Sequence, residues 1–198
     1  LSVSRRTREH PKTSHVIGAV SIIAATAVLY PRILLETWVV NRHLALQLAL
    51  PIAFITVVAL GAAFLIHRKG GKETAVEVPT QNPLNFSVAI QFGVAYMAVL
   101  WLMDLVSSQY SAQGLYIGSL VFGATDMDAI TLSIARKPDI ADSLQGMTAV
   151  LLATLSNTVM KFLLVVFFGD RSLRKWVGLG FGAIFLATLL GMTVMWSW

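Results

Sequence analysis

The sequence predicts an all-α fold: a polytopic membrane helix bundle of six transmembrane helices in three hairpins. Three observations predict it. Six separate runs of about 20 mostly apolar residues are present, the length a helix needs to cross a hydrocarbon core of roughly 30 Å. Only 13% of the 198 residues are charged and 56% are hydrophobic, where a soluble chain averages about 25% charged. The basic residues behind the net charge of +5 sit at the edges of the apolar runs. That placement reads as membrane topology, with the lipid bilayer as partner and no nucleic acid.

Span 1 covers residues 15–40. Arg5, Arg6, Arg8 and Lys12 precede it in the manner of a signal peptide. No small-residue cleavage site ends the run and five more follow, so it reads as a span. Pro31 inside it removes a backbone donor, which predicts a kink. Span 2 covers 44–66, with Pro51 in its first turns. Residues 67–84 are polar with Gly and Pro and form the one long loop, and Asn82–Pro83 is a helix-start signal for span 3, 86–106. Span 4 covers 114–135 and stops before Pro138. Asp142 or Ser143 is placed to cap span 5, 144–168. Span 6 covers 176–196. Gly114-x3-Gly118 and Gly178-x3-Gly182 permit close helix approach, and Trp38, Trp176, Trp196 and Trp198 mark an interfacial belt.

Lys and Arg set the orientation. A cytoplasmic N-terminus puts Arg5, Arg6, Arg8, Lys12, Arg68, Lys69, Lys72, Arg136 and Lys137 inside. It leaves Arg42, Arg171, Arg174 and Lys175 outside. The loop GDRSLRKW, 169–176, dissents from that sorting. Loop 67–84 is then cytoplasmic.

Absence of cysteine excludes a disulfide frame, thiolate zinc and a thiol nucleophile. No catalytic triad or phosphate loop is present, and His10, His15, His43 and His67 lack metal spacing. The expected activity is not enzymatic, and no cofactor is implied beyond a bound Mg²⁺ or Na⁺.

Six ionisable residues fall inside the spans: Arg32, Glu36, Asp104, Asp126, Asp128 and Lys161. Each costs about 2.5–3.5 kcal/mol to insert unless paired or hydrated. In span 4, Asp128 shares a face with Thr125 and Thr131, and Asp126 shares the opposite one with Ser119 and Ser133. In a regular helix the two carboxylates point roughly 200° apart. They line one site only if the backbone breaks, which Gly123 would permit, as in the broken helices of transporters. An intact helix would instead turn one acid toward each neighbour. Asp126 and Asp128 are the candidate metal or proton ligands.

Span 5 contributes Thr154, Asn157, Thr158 and Lys161 at helical spacing, one polar stripe. Lys161 lies seven residues from the span end, too deep to snorkel, and needs a counter-charge. Asp128 or Asp126 is the natural partner, either as an exchangeable ion pair or as a structural pin. Arg32 and Glu36, four apart in span 1, form a second pair near the outer interface. Asp104 lies near the outer end of span 3.

GATDMDAITLSIA (123–135) followed by LSNTVMK (155–161) resembles the hydrophobic domain of unknown function that lies C-terminal to the MgtC/SapB domain in bacterial membrane proteins. SRRTRE, YPRILLE with a following VVN, NPL and GLY extend the likeness along the chain. The matching positions include Arg32, Glu36, Asp126, Asp128, Thr131, Ser133, Ser156, Asn157, Thr158 and Lys161. The resemblance implies a bacterial inner-membrane protein in a magnesium context, without an assigned reaction. It also implies an MgtC-type domain as N-terminal partner, missing from this chain, and a homo-oligomer is expected.

Two functions follow as expectations. One is cation (Mg²⁺, Na⁺) or proton transport, or its support, at Asp126, Asp128, Thr131, Ser133, Asn157, Thr158 and Lys161. The other is a non-transporting regulatory or assembly module acting through a protein partner.

Overall fold

The structure is a computed structural model that describes residues 15–69, 97, 101 and 112–196. Among the described residues every regular element is a helix. α1 is His15–Val40, α2 Arg42–Lys69, α3 Ala112–Gly123, α4 Met127–Ala135, α5 Pro138–Ala141, α6 Leu144–Phe168 and α7 Arg171–Trp196. Four of these, α1, α2, α6 and α7, are long and apolar enough to cross a membrane, with mean hydropathy from 1.8 to 2.5. At 1.5 Å per residue each is about 37–42 Å long, enough for a bilayer core with tilt. Large apolar side chains such as Leu50, Val57, Phe64, Phe167 and Leu186 cover the outside. A water-facing surface would not carry so continuous an apolar cover. The protein is a membrane protein with transmembrane helices.

α1 and α2 form a hairpin on a single residue. Asn41 donates its N–H to the Thr37 carbonyl at 2.7 Å, and its Oδ1 accepts from Leu44 N at 3.0 Å, capping α2. α2 packs on α7, α7 on α6, and α1 touches α7. Ile23, Ile33, Leu48, Ile55, Leu151 and Ile184 fill the space between them. Pro31 and Pro51 are absorbed without ending their helices. Ser143 caps α6, accepting from Gly146 N at 3.2 Å. Of the expected glycine pair of span 6, Gly178 approaches Phe162 while a Cβ on Gly182 would meet nothing within 4 Å, and Gly180 abuts Ile23.

The ends of the bundle sort differently from the sequence expectation. His15 pairs with Asp170 at 2.8 Å, and Lys69 lines a pocket with Trp176. GDRSLRKW therefore lies on the face where α1 begins and α2 ends, not on the face of Arg42. At the other face, His43 pairs with Asp142 at 3.0 Å, and Asn41 Nδ2 donates to the Ala135 carbonyl at 3.4 Å. Arg136 and Lys137 accordingly join Arg42 rather than Arg68 and Lys69. Parity made the difference. The strict alternation of six spans places the 69 end and the 112 end on opposite faces. In the structure α3 runs antiparallel to α6, with Leu120 beside Ser156 and Gly123 beside Ala153. That direction starts α3 on the face where α2 ends. Span 3 and most of loop 67–84, with Asp104, lie outside the described residues apart from His67–Lys69, Met97 and Trp101, all helical. Among the described residues, the expected six spans in three hairpins are represented by four long helices plus one broken one.

Candidate functional site: a broken helix held by ion pairs

Span 4 is not one helix. α3 has 12 residues and α4 has 9, about 18 and 14 Å, so neither crosses a bilayer core alone. The chain turns at Ala124–Thr125. Phe122 O accepts from Thr125 N at 3.0 Å, Asp126 N at 2.9 Å and Thr125 Oγ1 at 2.9 Å. Asp126 is extended (φ −150°, ψ 100°), and its Oδ1 accepts from the N–H groups of Asp128 and Ala129 at 3.0 and 3.2 Å. That is an N-cap, and it satisfies two donors that a helix start leaves unpaired. Asp126→Ala is expected to lower stability by about 1 kcal/mol, with Asp126→Ser or Asn nearly neutral, as read by thermal unfolding in detergent.

A break inside lipid also frees carbonyls, which carry a cost there unless bonded. The polar stripe of span 5 supplies the bonds. Ser156 Oγ donates to the Leu120 carbonyl and Asn157 Nδ2 donates to the Gly123 carbonyl at 3.3 Å. The Thr hydroxyls turn inward on their own helices. Thr154 bonds the Val150 carbonyl at 2.9 Å, Thr158 the Thr154 carbonyl at 3.0 Å, and Thr131 the Met127 carbonyl at 2.8 Å. Thr158 Oγ1 also lies 3.3 Å from the hydroxyl of the fully buried Tyr30. Ser133 is partly buried on α4.

The charges pair differently from the expectation. Asp128 Oδ2 pairs with the Arg32 guanidinium, not with Lys161. Arg32 Nε also bonds Glu36 Oε1 at 3.0 Å. One guanidinium therefore bridges two carboxylates on different helices. Its five fixed donors make that sharing possible where an ammonium could not hold the geometry. Lys161 is partly buried and lies in the field of Arg32. It forms no ion pair among the described residues. Pairing Arg32 with Asp128 and Glu36 offsets part of the insertion cost of these three charges.

Asp126 and Asp128 do not converge as a metal centre. One Asp126 oxygen caps α4, one Asp128 oxygen faces a guanidinium, and no third His, Cys, Asp or Glu joins them among the described residues. While Arg32 holds Asp128, a cation beside the pair would be repelled, so the donor set in this paired state does not fit a resident Mg²⁺. Sequence reasoning left out Tyr30 and kept Arg32 as an interfacial residue satisfied by Glu36. The signal was present: Tyr30 and Arg32 sit either side of Pro31 on a helix that also ends in Asn41, which bonds the last turn of α4.

A protein of Aquifex aeolicus (strain VF5), described as uncharacterized, is 29% identical over 158 residues, covering 78% of this chain and 69% of that protein. No solved structure matches. The family model DUF4010, a domain of unknown function, matches residues 1–169, which takes in α1, α2, the broken span, its Arg32 partner and the Ser156–Asn157 clamp. The chain belongs to the DUF4010 family of domains of unknown function.

Proposed function

We propose that the chain carries a small cation (a proton, Na⁺ or Mg²⁺) across the membrane, or supports such movement, at the seam of α1, α4 and α6. One observation carries this reading. Asp128 opens a half-helix in mid-chain of a broken span, and the cation that holds it already holds a second carboxylate, Glu36. Arg32 can therefore release Asp128 to an incoming cation without losing its own counter-charge. Broken helices with charged groups at their ends are how many transporters build ion sites. In this reading the bundle end bearing Arg68, Lys69, Arg171, Arg174 and Lys175 faces the cytoplasm of a bacterial inner membrane, supported by the excess of basic residues over Arg42, Arg136 and Lys137 at the other end. The magnesium context rests on the resemblance alone, and a divalent cargo would keep its water.

Purified protein in liposomes tests this. Wild type is expected to pass at least one of H⁺, Na⁺ or Mg²⁺ down an imposed gradient. Asp128→Asn is expected to reduce that flux at least about tenfold, by analogy with loss of an interaction of about 1.4 kcal/mol or more. Wild-type flux in folded Asp128→Asn and Lys161→Met would remove this site from transport.

A second reading, a regulatory or assembly module with a protein partner, is favoured by the use of Ser156 and Asn157. Both are occupied by α3 carbonyls, as in a structural network. Absence of flux for every ion, with a specific protein co-purifying, would support it.

A further inference from the structure

We infer that the cation handled at this site is a proton and that Oδ1 of Asp128 is the atom that receives it; this rests on the transport reading above. Oδ2 of Asp128 faces Arg32, but Oδ1 is buried and accepts no hydrogen bond among the described residues. An ionised carboxylate offers about four acceptor sites, and a buried bare one is costly. Room decides which cation can relieve it. Mg²⁺ requires near-octahedral oxygen ligands and keeps water. A Na⁺ ion likewise needs several oxygens around it. Oδ1 is closed to water, and no three acids are grouped so as to hold a metal ion among the described residues. A proton needs neither space nor further ligands.

The charges gathered around Arg32 fit a one-proton exchange. Asp128 and Glu36 both pair with it, Lys161 of α6 lies within its field, and Asp126 of α4 is held by its own backbone N–H groups. When a proton binds, one O–H bond forms and the Arg32–Asp128 ion pair breaks. Arg32 keeps Glu36 as counter-ion. When the proton leaves, the carboxylate reclaims Arg32. Nothing is oxidised or reduced, and the same proton enters and leaves. Glu36 is thus a positioning residue, and Asp128 is the carrier.

Two measurements on the full chain in liposomes test this. The first follows internal pH with a trapped dye in media free of Na⁺ and Mg²⁺. Wild type is expected to conduct protons, Asp128→Asn to lose at least about tenfold, and Glu36→Gln to lose several-fold while still folding. The second is infrared difference spectroscopy on acidification. A carbonyl stretch of a protonated carboxylic acid is expected in wild type and absent in Asp128→Asn. Carbon-13 labelling of aspartate, with glutamate unlabelled, is expected to shift that band, which keeps the test open if the variant does not fold. A band that persists in Asp128→Asn or ignores the aspartate label overturns the inference. So does Na⁺ or Mg²⁺ flux without proton movement, which leaves the transport reading standing. A band that depends on Asp128 in a protein that passes no ion supports the proton site and overturns transport.

Discussion

Gly123→Ala is expected to destabilise the protein by about 1–3 kcal/mol, the usual range for overpacking a tight contact. A Cβ built on Gly123 would lie 2.5 Å from the Ala153 Cα, 2.8 Å from its Cβ and 2.9 Å from its carbonyl oxygen. Two of those three atoms are backbone, so no side-chain rotation relieves them. α3 and α6 must move apart. The movement stretches the Asn157–Gly123 and Ser156–Leu120 bonds, which satisfy carbonyls at the break. Ala153→Gly removes only the Cβ contact, so the double variant is expected to recover a minor part of the loss. Thermal unfolding in detergent reads both. Full recovery by Ala153→Gly would show that the backbones are not in contact, and the clamp on the break would lose its basis. By contrast, Gly182→Ala adds a methyl to open space and is expected to be silent.

Much of this arrangement was legible in the residues, and the remainder was hidden for identifiable reasons. Span lengths followed from hydropathy, and α1 and α6 begin and end where the apolar runs do. The polar stripe of Thr154, Asn157 and Thr158 was visible from its spacing, and so was the chance of a break near Gly123. Its physical cause was not. Gly123 is needed for close approach to Ala153 rather than for a left-handed backbone, and closeness between distant segments leaves no local pattern. The pairing of Asp128 was hidden for the same reason. Lys161 and Arg32 are both basic residues in greasy helices, and only the packing of α4 on α1 selects Arg32. The expected sorting of loops between the two faces assumed strict alternation through span 3, most of which lies outside the described residues. The His15–Asp170 contact brings the starts of α1 and α7 to one face, and neither residue announces it alone.

Arg32→Met and Asp128→Leu are each expected to destabilise substantially, and the pair together much less than their sum. Removing one partner of a buried ion pair leaves an uncompensated charge, at about 3–5 kcal/mol in the deepest cases. Arg32 is half-exposed while Asp128 is largely buried. The two losses are therefore unequal: Arg32→Met strands two carboxylates, and Asp128→Leu leaves Arg32 on Glu36 alone. Arg32→Met is expected to be the worse single variant, and Glu36→Gln the mildest, because it leaves Arg32 on Asp128.

The most direct measurement is the double-mutant cycle of Arg32→Met and Asp128→Leu, read as unfolding free energy of the purified chain in detergent. An interaction energy above about 1 kcal/mol is the predicted result, since residues in one charge network couple by about 0.5–3 kcal/mol. Additivity within about 0.3–0.5 kcal/mol, the behaviour of distant independent sites, would contradict it and separate the broken helix from α1.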